Sequence, residues 1–508
     1  MTDARLLSRR ALLAALGSGL ATAALAEAPL TSLRPVARGG GGAPAPEVSA
    51  RRPVARPTTE ELIAAAGLTG TVALALADAR TGELLYARNA AAPLPPASVT
   101  KALTALWGLE GLGPTFRFTT RLLATGALSA DGTLAGDLIL TGNGDPVLTT
   151  DHLAEMADAL AAAGINRIDG RFLVHDTALP RIDRIDPGQL DQLGYNPGLS
   201  GLNANFNRVH FEWDRTATGY DLKMDGRTER HRPEVRVARM ALSEAASPIY
   251  TYRNGGTFDA WTVARPALGE AGARWLPVRH PGLYAGDLLR SLCATTGLDL
   301  PAPQRIDALP PGTRELVRHR SGPLLGILRG MLRYSTNLTA EVVGLTASAM
   351  TGERPETLAG SAERMTGWLN RSHGTGHRFV DHSGLGDDSR VTALDLVRSL
   401  TAPGVATRLR PILRNIPFLD AEGAPIRDHP VRVLAKTGTL NFVSTLAGYI
   451  DRPEGPPLAF AFLAGDLDAR ARIEGSLDEV PAGVRGFNAR AKDLQRSLLA
   501  RWGAGLTA

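Results

Sequence analysis

Only one cysteine, Cys293, occurs in 508 residues, so no internal disulfide can brace the fold and stability must rest on a packed core. Cys293 lies in LLRSLCATTG, apolar at helical spacing, and is read as a buried structural thiol. Past residue 26 no apolar run is long enough to cross a bilayer, so the mature chain is expected to be soluble with no transmembrane segment. Net charge is missing from the body of the chain. Eight arginines in residues 1 to 58 face only Asp3, Glu27 and Glu47, which accounts for the whole formal +5. A body that balances at zero gives no sign of nucleic-acid binding. Lysine is the most telling scarcity: of 56 basic side chains only Lys101, Lys223, Lys436 and Lys492 are lysine.

The apolar fraction of 44% supports large cores, enough for two or three domains. The ends of the chain read differently. Arg5, Arg9 and Arg10 precede the apolar run Ala11 to Ala26, a signal-peptide pattern with Ala24-Leu25-Ala26 as the exit. Ser8-Arg9-Arg10 resembles a twin-arginine signal, so export to the periplasm of a folded chain is expected. Residues 27–57 mix Pro, Gly and Arg without periodicity and read as a disordered linker.

Structure is predicted from TTEELIAAAGL, where Thr58 and Glu61 fit a capping box, followed by two short strands around Thr81-Gly82. Residues 120–310 carry mixed signals: DLILTG and RFLVHD as strands, DHLAEMADALAAAG as a helix. From residue 321 helices dominate, beginning with the run GPLLGILRGMLRYSTNLTAEVVGLTASAM. VRVLAKTGTL, STLAGYID and PLAFAFLAGD then read as three strands of one sheet, covered by a final amphipathic helix. The sheet therefore takes strands from both ends of the chain. The reading is an α+β protein in which residues 58–119 and 311–508 form one domain split by an inserted α+β region, 120–310.

Where arginine has replaced nearly every lysine, the lysines that remain invite a chemical explanation, because an ammonium can lose its proton at reachable pH and a guanidinium cannot. Lys101 ends Ser98-Val99-Thr100-Lys101, and Lys436 opens Lys436-Thr437-Gly438-Thr439. On a helix, residues three apart share a face, so Ser98 and Lys101 can form a nucleophile and base. A free lysine is neutral only about once in 2,500 at pH 7, so the site must lower its pKa by desolvation or by a second cation, for which Lys436 is the candidate. Ser98 is also expected to start its helix, since serine is a common cap. Ser335-Thr336-Asn337 supplies a third element just before a periodic helix. SxxK, SxN and KTG in this order form one constellation with a shared mechanism.

With these motifs the chain resembles the penicillin-recognising serine acyl-transferases, and more narrowly the low-molecular-mass class C penicillin-binding proteins, which are D-Ala-D-Ala carboxypeptidases with endopeptidase activity. The long gap from Lys101 to Ser335 is similar to the domain insertion of that family, as are GDLILTGNGDPVLT and LSGLNANFNRV within it. DHSGLGDDSRVT is similar to the family's Asp-Gly-Ser-Gly-Leu stretch, with His382 where glycine is usual. The resemblance implies a β-lactamase/transpeptidase-like fold, an antiparallel sheet with helices on both sides. It also implies Ser98 as nucleophile, Lys101 as base, Ser335 as proton relay, and Asn337 as holder of Lys101 and the substrate amide. Lys436 and Thr437 would meet the terminal carboxylate, Gly438 and Thr439 would line the substrate strand, and the backbone N–H groups of Ser98 and Thr439 would make the oxyanion hole. Implied partners are peptidoglycan stem peptides ending in D-Ala-D-Ala and β-lactams; no metal or other cofactor is implied, and self-association is left open.

Three rival readings are weighed. A class A β-lactamase would need a deacylating glutamate between SxN and KTG, and none is identified. A metallopeptidase would use His373, His377, Asp381 and His382, but Gly374 and Gly376 argue against a helix presenting the pair, and no HExxH occurs. A wall-binding scaffold without turnover is opposed by the intact motif residues.

Overall fold

A computed structural model of the chain describes residues 57–505. The expected signal segment, and the linker up to residue 56, lie outside the described residues. Among the described residues, no helix is long and apolar enough to cross a membrane.

Thr58 opens the structure with the capping box read from sequence: its hydroxyl accepts from Glu61 N–H at 3.2 Å while the Glu61 carboxylate accepts from Thr58 N–H at 2.7 Å. A six-stranded antiparallel sheet follows, drawn from both chain ends. Its order is Arg414–Asn415, Arg432–Leu440, Val443–Asp451, Leu458–Gly465, Thr71–Asp78 and Leu84–Arg88. Both faces are covered, and the alternation of the strands shows how. Ala73, Ala75, Ala77, Ala459 and Ala461 turn to the helices Thr100–Leu112, Leu324–Tyr334, Asn337–Met350, Leu358–His373 and Ala393–Thr401. Val72, Leu74, Leu76, Phe460 and Phe462 turn to Thr59–Ala66 and Val484–Gly503. Small residues on the first face let the helices that carry the motifs approach the sheet closely.

The segment between SxxK and SxN builds its own core and sheets. Five strands in the order Gln304–Ile306, Phe172–His175, Leu138–Gly142, Thr119–Ala124 and Arg314–Arg320 form one sheet, and two three-stranded sheets follow from residues 208–277. Helices Thr150–Ala162 and Pro281–Thr295 pack into this core, and the second buries Cys293, whose thiol pKa burial pushes up to about 12. The structural cysteine read from sequence is therefore present.

The long helical run expected from residue 322 is two helices. Leu324–Tyr334 ends at Ser335, which adopts the left-handed conformation with φ of 58°, and Asn337–Met350 starts after Thr336. A non-glycine residue in that region is uncommon and interrupts a helix. The apolar period continues across the break, and the Ser335-Thr336-Asn337 motif is its one local sign.

The C-terminal helix closes the sheet with Trp502, which is fully buried beside Phe460 at 5.9 Å between ring centres. Trp502→Ala should cost about 3–5 kcal/mol in urea unfolding. Trp502→Phe should cost clearly less, because the indole N–H has no hydrogen-bond partner to lose. Equal costs would show that the ring volume is not what secures the helix.

Candidate active site

Ser98 stands in a 3-10 turn, Ala97–Val99, that precedes the helix Thr100–Leu112. It therefore does not cap the helix as the sequence suggested, and its hydroxyl is committed elsewhere. The turn is held from both sides: Thr445 Oγ1 donates to Pro96 O at 2.8 Å and Thr100 Oγ1 to Ala97 O at 2.9 Å. Ala97 itself has a left-handed φ of 47°, a strained conformation for alanine that these neighbours maintain.

Lys101 is fully buried one turn on. Its Nζ meets three acceptors: Ser98 Oγ at 2.9 Å, Asn337 Oδ1 at 2.7 Å and the Ser383 carbonyl at 2.7 Å. An ammonium has three N–H groups and is satisfied by this set. A neutral amine has two and a lone pair, and of the three neighbours only the Ser98 hydroxyl can turn round and donate. Deprotonating Lys101 therefore aims its lone pair at the Ser98 proton. Burial lowers the Lys101 pKa to about 8, against the opposing pull of the Asp381 and Glu341 charges. At that value about one lysine in ten is neutral at pH 7, two orders of magnitude more than in water.

Lys436, on the strand Arg432–Leu440, donates to Ser335 Oγ at 2.9 Å and to the Thr437 carbonyl at 2.6 Å. Its pKa falls to about 6, first through burial and then through repulsion by Lys101 and Arg414. Burial is thus the leading cause for both lysines, ahead of the repulsion between them. At neutral pH the pair holds about one proton, and such coupled groups titrate together.

Glycine explains how these strands and loops come so close. A Cβ on Gly438 would lie 2.2 Å from Thr445 Oγ1 and 2.9 Å from Ser98 N. One on Gly384, at φ of 73°, would lie 1.9 Å from Ala97 O. Gly438 is buried, so it brings the strand against the serine turn, while Thr437 and Thr439 stay exposed beside it.

Sequence reasoning missed Glu341, and gave Asp381 a metal-binding reading and a place at the head of the stretch that resembles the family's Asp-Gly-Ser-Gly-Leu. Both are fully buried beneath Lys101. Glu341 accepts from the backbone N–H of His382 at 3.0 Å and of Ser383 at 2.8 Å, and Asp381 accepts from Gly384 and Gly386, each at 2.6 Å. Burial and the Asp381 charge push Glu341 up to about 8, and burial also raises Asp381. The two carboxyls shape the loop that offers the Ser383 carbonyl to Lys101. The only signal in the sequence was an acid four residues after Asn337 on an apolar helix.

The histidines of the metallopeptidase reading do not converge. His382 Nε2 pairs with Ser361 Oγ at 2.8 Å and His377 Nε2 with Ser399 Oγ at 2.9 Å, and burial lowers their pKa values to about 3 and about 4. No group of three or more potential ligands gathers among the described residues.

Above Ser98 opens a cleft of about 730 Å³, bordered by Ser335, Asn337 and Thr439. The inserted segment contributes Gln189 and Tyr195 to its wall, and Asn337 Nδ2 donates to the Tyr195 carbonyl at 2.9 Å. Arg470 and the helix Val484–Gly503 also border it.

The family model described as D-Ala-D-Ala carboxypeptidase 3 (S13) matches residues 58–480. A carboxypeptidase of Mycobacterium tuberculosis is 29% identical over 416 residues, covering 79% of this chain and 78% of the relative. A D-alanyl-D-alanine carboxypeptidase of an Actinomadura species is 28% identical over 424 residues, 78% of each chain. Among solved structures, penicillin binding protein 4 of Haemophilus influenzae superposes with a TM-score of 0.67 at 19% identity, covering 87% of this chain and 99% of that one. That likeness shows the fold, with the sheet and inserted region described above.

His382, where the resembled family carries glycine, fits because Gly344 lies opposite: a Cβ there would come 2.1 Å from the imidazole Cγ. Gly344→Ala should therefore overpack the site and cost about 1–3 kcal/mol in chemical denaturation. In a His382→Gly background the same change should cost much less, giving a non-additive cycle. Additive costs would contradict the contact.

Proposed function

The chain belongs to the D-Ala-D-Ala carboxypeptidase 3 (S13) family and is a serine-type peptidase, and on that premise we propose that it removes the terminal D-alanine of peptidoglycan stem peptides through an acyl-enzyme on Ser98. The observation that carries this reading is Lys101 Nζ, buried and bonded at once to Ser98 Oγ and Asn337 Oδ1 at the floor of an open cleft.

The peptide carboxylate would meet Lys436 and the Thr437 hydroxyl. Its negative charge draws the pair's shared proton to Lys436 and leaves Lys101 neutral. Ser98 Oγ then bonds to the carbonyl carbon of the penultimate D-alanine as Lys101 takes the hydroxyl proton. The backbone N–H groups of Ser98 and Thr439 receive the oxyanion, a role favoured by the close approach at Gly438. The C–N bond breaks as a proton reaches the leaving amine through Ser335, which already bonds Lys436. Water hydrolyses the ester and restores Ser98. Asn337 orients Lys101, and no step calls for a metal or cofactor.

A structure of the Haemophilus influenzae protein is a complex with a β-lactam. For this chain we extend the reading to covalent inhibition by β-lactams, to peptidoglycan endopeptidase activity, and to action in the periplasm after export. The peptidase domain is taken as residues 58–119 and 311–508 around an inserted 120–310, and the pairing of Arg314–Arg320 with Thr119–Ala124 favours a second junction near Ser321. A β-lactamase of class A type is not supported: Glu341 is wholly buried on backbone N–H groups.

D-Alanine release from diacetyl-Lys-D-Ala-D-Ala tests the reading and should persist in chelator and vanish in Ser98→Ala. Its kcat/KM should be bell-shaped with limbs near pH 6 and pH 8. Below the acid limb both lysines are protonated and no base remains; above the alkaline limb neither is, and the carboxylate loses its cation. A rate that climbs steadily past pH 9 would rule out the shared proton.

A further inference from the structure

A second cavity, of about 490 Å³, adjoins the cleft and has no part in the chemistry above. Tyr195, Ser335 and Asn337 line both spaces, so the two meet at the SxN motif. The lining of the second also includes Phe206 and Arg208 of the inserted region. Arg208 is half-buried and unpaired: its side chain makes no hydrogen bond or ion pair among the described residues, and its Nε is closed off from solvent without a partner. Burial pulls its pKa below the ordinary arginine value and no carboxylate opposes the shift, yet a guanidinium stays charged at neutral pH. The group lies over two rings, 5.5 Å from the centre of Phe206 and 5.8 Å from that of Trp275. Such contacts use the faces of a guanidinium and leave its N–H edges free for an acceptor.

The backbone beneath Arg208 is strained and firmly held. Asn205, Phe206 and Asn207 take left-handed φ values of 50°, 56° and 51° immediately before it. Asn207 Nδ2 secures that turn on the Gly198 carbonyl at 2.8 Å and on Asn203 Oδ1 at 2.7 Å, and the Tyr284 hydroxyl donates to the Arg208 carbonyl at 2.9 Å. A charge held this way loses hydration, and no partner within the chain offsets the loss.

Ser335 gives the cavity its place in the reaction. The residue that departs has its carboxylate on Lys436 and Thr437 and its amine at Ser335, which leaves its side chain as the one part without a position. Tyr334, Ser335 and Thr336 all line the cavity, so a side chain longer than the D-alanine methyl can enter it from the departing residue. A side chain that ends in a carboxylate brings the acceptor Arg208 lacks, in a form that matches the guanidinium edge with two parallel hydrogen bonds. Resting on the function proposed above, we propose that this cavity is a leaving-side subsite in which Arg208 receives a carboxylate carried by the side chain of the departing residue. The chain thereby favours dicarboxylic leaving residues over neutral ones.

The test compares two peptides, diacetyl-L-Lys-D-Ala followed by D-α-aminopimelate, and the same peptide with the pimelate side chain as its neutral amide. Acid and amide share one shape, so the ratio of their kcat/KM values reads charge alone. The wild-type protein should favour the acid about tenfold, as a part-buried charge-assisted pair supplies, and less at high salt. In Arg208→Ala the ratio should fall near one, in Arg208→Glu it should invert, and Arg208→Lys should keep part of it. Each ratio is taken on one preparation, so any loss of folded protein cancels. A wild-type ratio near one, or a preference that survives Arg208→Ala, would overturn the subsite. Calorimetric binding of both peptides to Ser98→Ala protein, with and without Arg208→Ala, reads the same preference without turnover. If the wild type hydrolyses neither peptide, the proposed activity fails while the binding ratio still decides the subsite.

Discussion

The whole arrangement depends on keeping one amine out of water. Lys101 is an unfavourable residue to bury, because desolvation penalises its charge. Here its three acceptors satisfy the ammonium, so the cost falls short of disrupting the fold and lowers the pKa. Two of the acceptors, an amide oxygen and a backbone carbonyl, can only accept. The loss of a proton therefore has one geometric consequence, a hydroxyl turned toward a lone pair.

Much of the surrounding structure follows from delivering those acceptors. The Asn337 amide arrives because a helix breaks at Ser335 and restarts. The Ser383 carbonyl arrives because Glu341 and Asp381, buried beneath it, accept four backbone N–H groups of the same loop. Gly384 and Gly438 let that loop and the sheet press on the serine turn. Small residues on one face of the sheet extend the same closeness to the helices. The inserted region is also tied in, through the Tyr195 carbonyl on Asn337.

The motifs were legible in the sequence because lysine is scarce, which made Lys101 and Lys436 conspicuous. The α+β class, the sheet shared between chain ends and the helices on both faces followed from strand alternation and the resemblance. Other features were hidden. Ser98 looked like a cap because propensity reports the commonest use of a serine and not the nearest acceptor or donor. Glu341 looked like any helical acid, since its partners are backbone groups 41 and 42 residues away. His382 looked like a departure from pattern until Gly344 was found opposite it. In each case the deciding contact is long-range and leaves no local trace.

Everything turns on whether Ser98 carries the acyl group. The most direct measurement is the intact mass of the purified protein after brief exposure to benzylpenicillin, set beside Ser98→Ala. A penicilloyl increment on the first and none on the second is the predicted result. An unmodified mass on both, with the drug intact, would contradict it and leave the lysine cluster as a feature of fold alone.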